Sequence, residues 1–223
     1  MYSDFEAEII ITDPVSSQLI KYLANTYLPM RLSFVNEAAR LVNSSGGNLD
    51  DVLKGVGMDS RIGQHYFRPS PAWGGSCFPK DVVEVNNFYD SEEVNLPLIA
   101  NIIESNKIQT QWTAKMLKSI HNEKNLSGII LVWAAFKEDT DDLRNSPTID
   151  IYNELKAENM NTMIYDDLIK SEEYLSIEDV ENLEEPYLIA LMYPVKEDLM
   201  SKINNIVSKS NSSLYTPWQL WIY

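Results

Sequence analysis

The hydrophobic period of this chain changes once, near Ser127, and that change limits the folds open to it. Upstream, apolar residues recur at helical spacing. Leu19, Ile20, Leu23, Tyr27 and Leu28 form one series, which Leu32, Val35, Ala38, Ala39 and Val42 continue. Asp13-Pro14 reads as an N-cap with proline at the first helical position. Pro29 cannot donate to a helix ladder and predicts a kink near residues 26–29. Gly46-Gly47 ends the helix, and Asn48 with Asp51 opens a short one over residues 49–55. A loop rich in Gly and Pro covers residues 57–80, followed by a helix from Asp81 to about Tyr89. Ile99, Ile102, Ile103, Ile108, Trp112, Met116, Leu117 and Ile120 form a stripe without internal Pro or Gly, which predicts one long helix from Leu98 to His121.

Downstream the apolar residues gather into short runs. Residues 128–136 read as a buried strand, and Ser146-Pro147 opens a helix to about Glu158. Further strands are expected over residues 161–165, 188–193 and 213–221, with a helix over residues 197–208. Strand, helix, strand at this spacing means a parallel sheet. The expected fold class is therefore α + α/β. A helical domain covers residues 1–97, a long connecting helix residues 98–122, and a Rossmann-like parallel α/β domain residues 123–223.

Charge narrows the partners. Thirty-three acidic residues stand against 18 basic ones, a net charge of −15, which repels a phosphate backbone and argues against nucleic-acid binding. A small anion still fits wherever Lys and Arg cluster. No apolar run approaches a membrane span, and the polar, acidic start does not read as a signal peptide. One cysteine gives no disulfide framework and fits a reducing cytoplasm. With two histidines and that cysteine, no metal site is expected.

The cysteine stands in Gly74-Gly75-Ser76-Cys77-Phe78-Pro79-Lys80-Asp81. Two glycines before it let a substrate come close. Lys80 favours thiolate, and Asp81 can move protons or activate water. Taken alone, Cys77 reads first as a small buried side chain in an ordinary loop, because free Cys is among the most buried residue types.

Four blocks in order carry a resemblance: residues 17–25 with Lys21 and Asn25, Asp59-Ser60-Arg61-Ile62-Gly63, the cysteine block, and residues 135–147. Over roughly residues 10–195 they resemble the UDP-glucose/GDP-mannose dehydrogenase family, in its middle and C-terminal domains. Members oxidise the C6 hydroxyl of a nucleotide sugar to a carboxylate with NAD. The resemblance implies that Cys77 attacks the aldehyde intermediate as a thiohemiacetal, and that water hydrolyses a later thioester. Lys21, Asn25 and Asp81 would then handle protons and oxyanions. Lys21 and Asn25, at i and i+4, share one helix face.

By the same resemblance Arg61 reaches a neighbouring subunit's site, which implies a homodimer through the helical domain. Lys137 contacts the sugar nucleotide. Tyr66, Phe67, Arg68, Trp73 and Gly74 lie where the family wraps nucleotide and sugar, with Arg68 replacing a common lysine. Arg144 and Lys80 would touch the dinucleotide. UDP-glucose is the default substrate, with UDP-N-acetyl sugars and GDP-mannose as rivals, in the service of polysaccharide biosynthesis.

Three departures qualify this. No Gly-x-Gly-x-x-Gly fingerprint occurs, so NAD binding in the family's manner needs a separate NAD-binding half, and the chain is expected to be a fragment, one part of a split enzyme, or a shortened relative. Trp133 stands where relatives usually carry glycine, and either fills the space that glycine leaves or simply packs a core. The late Asp-Gly-Arg segment is missing, and Tyr215, Trp218, Trp221 and Tyr223 stand in that region. Two function classes therefore remain: the substrate-binding and catalytic portion of a dehydrogenase, or a non-catalytic relative that dimerises and binds a UDP-sugar.

Overall fold

The computed structural model describes residues 8–91, 94–137, 140–169 and 171–217. The first half is helical. Helix α1, Pro14–Ser45, begins where the Asp13 carboxylate accepts from the Ser16 amide, and it ends at Gly46 in the left-handed conformation. It runs through Pro29 without interruption. The proline removes the ladder donor to the Asn25 carbonyl, but tertiary packing holds the helix together: Pro29, Ser33, Val35, Asn36 and Ala39 are buried. Helix α2 spans Leu49–Gly57 and α3 spans Phe78–Ser91.

The expected long helix is divided. A short turn, α4, covers Pro97–Ala100, and α5 covers Ile102–Lys124. The break falls at Asn101, whose side-chain amide donates to the Pro97 carbonyl. Hydrophobic periodicity ran across this break because both segments present apolar residues to one side. Helix α5 belongs to two cores. Its start, Ile102, packs with Trp73 and Val82, and its end, Ala114, Leu117 and Ile120, packs under the sheet.

The second half is a parallel α/β unit. Strands β1 (Gly128–Val132), β2 (Thr162–Tyr165), β3 (Tyr187–Leu191) and β4 (Ser213–Tyr215) lie in the order β2-β1-β3-β4, all parallel. Helices α6 (Pro147–Ala157), α7 (Ile177–Glu181) and α8 (Glu197–Ser210) lie between them in sequence. Side chains alternate between two faces as a strand's period of two requires. Ile129, Leu131, Leu188 and Ala190 pack on the α5 and α6 side. Ile130, Val132, Ile189 and Leu191 pack on the α8 side. From central β1 the chain goes one way to β2, then back across to β3. Ligands of open parallel sheets bind at the C-terminal ends of the strands, where the order reverses. Here that place lies between the ends of β1 and β3.

Strand β1 stops at Val132, short of the expected Phe136, because Trp133 takes φ +77. A non-glycine residue there is strained and cannot extend a ladder. Strand β4 likewise stops at Tyr215, and residues 218–221 of the expected strand lie outside the described residues, as does Tyr223. Helix α7 escaped the sequence reading because it is only five residues long. Among the described residues no helix is long and apolar enough to cross a membrane, and no His, Cys, Asp and Glu cluster could hold a metal ion.

Candidate active site

Cys77 is exposed and immediately precedes α3. The Asp81 amide donates to the Cys77 carbonyl at 2.9 Å, which fixes the two residues one helical turn apart. Asp81 is 1% exposed and belongs to the first turn, where a helix dipole favours a carboxylate. A buried carboxylate needs partners. Asn25 supplies one, its amide nitrogen 2.6 Å from Asp81 Oδ2, and Lys21 Nζ lies 3.2 Å from the same oxygen. Lys21 and Asn25 share a face of α1, so one helix presents both to the start of another. Burial alone would raise the Asp81 carboxyl. Hydrogen bonds from Asn25 and Lys21, with the charges of Lys21 and Lys80, outweigh it and hold the group below the ordinary value.

The loop leading to Cys77 is held by polar side chains of α1 and α5. Asn36 Oδ1 accepts from the Ser70 amide at 2.8 Å, and Gln109 Nε2 donates to the Ser70 carbonyl at 2.9 Å. Thr113 bonds the Pro71 carbonyl, and Asn106 bonds both the amide and the carbonyl of Trp73. Trp73 Nε1 donates to Ser33 at 2.9 Å. Sequence reading missed Asn36, Asn106, Gln109 and Thr113. Their signal was present as polar residues on helices otherwise apolar toward the core, a placement that needs satisfied partners.

The two glycines do more than open space for a substrate. A Cβ on Gly74 would stand 1.9 Å from the Asn145 carbonyl oxygen, and one on Gly75 would stand 2.6 Å from the Phe136 ring. Gly75 also has φ +93. The sheet unit itself therefore occupies the approach that the glycines permit.

Cys77, Tyr66, Trp73, Gly74, Phe136, Lys137 and Tyr193 line a cavity of about 460 Å³ between the helical and sheet units. It sits beside the C-terminal ends of β1 and β3. Lys137 is exposed there and stacks over the Phe136 ring at 5.5 Å. The structure thus brings together Cys77, Tyr66, Trp73, Gly74 and Lys137. Lys21, Asn25 and Asp81 form the paired cluster one turn behind Cys77.

Arg61 and Phe67 lie elsewhere. They line a second groove of about 560 Å³ with Tyr27, Arg31, Phe34, Leu98 and Ile102. Arg61 is exposed and chelates Asp59, its Nη2 2.6 Å from Oδ2. Arg68 is exposed and lines neither cavity, and Lys80 is exposed on the first turn of α3. Arg144 grips Asp142 through Nε and Nη2, at 2.9 and 2.7 Å, and drives the Asp142 carboxyl down to about 2.

Trp133 is buried with the α8-side core and its indole nitrogen has no hydrogen-bond partner. Of the two sequence alternatives the core-packing one describes it. Its backbone takes φ +77, a conformation that glycine adopts without strain.

Residues 15–108 match the UDP-glucose/GDP-mannose dehydrogenase family, central domain, and residues 131–197 match its UDP binding domain. The chain is 35% identical over 187 residues to a UDP-glucose 6-dehydrogenase of Rickettsia felis, covering 83% of this chain and 40% of that one. It is 32% identical over 166 residues to the UDP-glucose 6-dehydrogenase TuaD of Bacillus subtilis, covering 74% and 36%. The chain thus spans about two fifths of the length of the curated relatives it matches. A UDP-glucose dehydrogenase structure from Pyrobaculum islandicum superposes with a TM-score of 0.74 at 25% identity, covering 86% of this chain and 46% of that one. A UDP-D-ManNAc dehydrogenase structure from Pyrococcus horikoshii reaches 0.79 at 20% identity, over 96% and 50%, a likeness of fold alone.

Proposed function

Since the chain belongs to the UDP-glucose/GDP-mannose dehydrogenase family, we propose that it is the substrate-binding and catalytic portion of an NAD-dependent nucleotide-sugar 6-dehydrogenase, with UDP-glucose as the default substrate. The observation that carries this reading is the cluster of Lys21, Asn25 and Asp81 assembled one helical turn from an exposed Cys77 at a cavity between the two units.

The sugar end of the ligand lies against Cys77. Tyr66, half exposed, offers a ring face, the buried Trp73 forms part of the cavity wall, and Lys137 neutralises part of the diphosphate. The described residues do not fit a dinucleotide. The first strand-to-helix turn of the sheet carries a buried Trp133 where a phosphate cradle needs glycine. The hydride acceptor, NAD in this family, would therefore be held mainly by residues other than the described ones, and Lys80 and Arg144 are the described cations that could reach it. When bound it would supply both oxidations at C6.

This chain's own residues handle the additions and the protons. The Cys77 thiolate adds to the C6 aldehyde. A sulfur–carbon bond forms and the carbonyl π pair moves to oxygen, where the Lys21 ammonium and the Asn25 amide meet it. At the thioester stage the Asp81 carboxylate takes a proton from water. The water oxygen bonds C6, the carbon–sulfur bond breaks, and Cys77 leaves as thiolate.

A homodimer through α1 accompanies this reading. Ile20, Tyr27, Phe34 and Leu41 recur at intervals of seven residues and are 55%, 52%, 59% and 67% exposed. That is the spacing of a helix seam that meets another helix. Arg61, in the groove beside Tyr27 and Phe34, then faces the neighbouring subunit.

A second reading, nucleotide-sugar binding without oxidation, draws on the filled turn at Trp133. Calorimetry with UDP-glucose, followed by an NADH assay with a supplied NAD-binding half, separates the two. Binding with turnover supports the dehydrogenase, and binding without turnover supports the second reading. No binding removes both.

A further inference from the structure

The geometry points to Asn145 as a positioning residue that latches the cysteine loop to the sheet unit. Its side-chain amide donates to the Gly75 carbonyl at 3.2 Å, and the Gly75 amide donates to the Asn145 carbonyl at 3.4 Å. These reciprocal bonds join residues 70 apart in sequence, two positions before Cys77. The surroundings are shaped for them. Gly74 leaves no room for a Cβ against the Asn145 carbonyl, and Gly75 leaves none against Phe136. Asn145 takes φ +50, a conformation that Asn tolerates better than most residues, and the amide it thereby presents is spent on the loop.

Asn145 also stands between two groups with other tasks. Arg144 precedes it and reaches Asp142, and Ser146 follows it and donates to the Ala134 carbonyl, two residues past the end of β1. The latch therefore ties the end of β1, the ligand side of the sheet, to the segment that sets where Cys77 stands. Asn145 itself touches no reacting atom. The inference rests on the nucleotide-sugar reading only for its consequence, that the contact between the two units also sets where Cys77 stands for the sugar.

Hydrogen exchange at the Gly75 amide tests it, in the ligand-free chain and in two variants. Asn145→Gly keeps the left-handed backbone and removes the donor. Asn145→Asp keeps size and backbone but turns a carboxylate oxygen toward the Gly75 carbonyl. A donor role predicts exchange about 5-fold faster in Asn145→Gly, and at least as fast in Asn145→Asp. A space-filling role predicts that the isosteric Asp retains the parent rate, and that result overturns the latch. Asn145→Asp also decides the matter if the glycine variant folds poorly. UDP affinity by calorimetry is expected to stay within about 2-fold of the parent in both variants, under 0.5 kcal/mol. A collapse of UDP affinity with unchanged Gly75 exchange makes Asn145 a ligand contact and overturns the latch too. If the parent chain binds no UDP, the nucleotide-sugar reading falls, and the exchange rates alone still decide the latch.

Discussion

Asn25 donates to Asp81 across 2.6 Å, and this bond joins the first long helix to the helix that Cys77 precedes. Asp81 is buried, so its two oxygens depend on Asn25 and Lys21 for what water would otherwise supply. Replacing Asn25 by Ala leaves a buried acceptor short of a donor. The expected loss of stability is about 1–3 kcal/mol. Urea denaturation of the parent and the variant measures it.

Partner charge sets the acid response of the same carboxylate. Its folded-state value lies below the ordinary 3.8, with burial opposing and the hydrogen bonds of Asn25 and Lys21 prevailing. A depressed carboxylate contributes stability fully above its unfolded value and loses it as pH falls through the folded one. Lys21→Met is expected to move the Asp81 titration upward, so that this contribution fades at a higher pH. Carboxyl-carbon NMR titration of the two proteins reads the shift.

The glycines before Cys77 are expected to differ from a glycine that only turns the chain. Gly74→Ala drives a Cβ into the Asn145 backbone carbonyl, which has no side-chain freedom with which to retreat. Gly46→Ala meets nothing within 4 Å and costs only its left-handed backbone, φ +71. The expected losses are about 1 kcal/mol for Gly46→Ala and at least about 2 kcal/mol for Gly74→Ala. Thermal melts of both variants compare them, and equal losses contradict the close approach.

These contrasts show what was legible in the sequence. Lys21 with Asn25, and Cys77 with Asp81, are each one helical turn apart, so local spacing places each pair on one face. Their meeting is not local: Asn25 and Asp81 are 56 residues apart, and Gly75 and Asn145 are 70 apart. Only the fold shows that a carbonyl of the sheet unit fills the space beside Gly74. Strand β1 was read too long for a related reason. Apolar character records burial, and Trp133 through Ala135 are buried, but it does not record the φ of +77 that ends the ladder. The parallel sheet itself was legible because its strands are short apolar runs separated by helical stretches of ordinary length.

Trp133 sets two effects against each other. Relieving its left-handed backbone with glycine returns roughly 1–2 kcal/mol. Removing a buried indole from the α8-side core costs about 3–5 kcal/mol. The cavity outweighs the strain, so Trp133→Gly is expected to destabilise the chain by about 1–4 kcal/mol. Chemical denaturation checks the sign, and a more stable variant contradicts the packing account.

The seam on α1 makes a prediction about assembly. Charged residues in the middle of an apolar seam cannot be buried unpaired. The double variant Tyr27→Asp, Phe34→Asp is expected to sediment as a monomer where the parent sediments as a dimer. A monomeric parent removes the homodimer and with it the cross-subunit role of Arg61.

The most direct measurement bypasses the oxidant. The UDP-sugar 6-aldehyde can be offered to this chain without NAD, because addition of a thiol to an aldehyde needs no electron acceptor. The sulfur bonds C6, the carbonyl becomes a hydroxyl, and Cys77 is occupied. Chloroacetamide labelling of Cys77, followed by intact-mass spectrometry, reports how much thiol remains free. The account predicts that the aldehyde slows labelling in a saturable manner, that UDP competes with it, and that Lys21→Met weakens the protection. Labelling at the same rate with and without the aldehyde would contradict it.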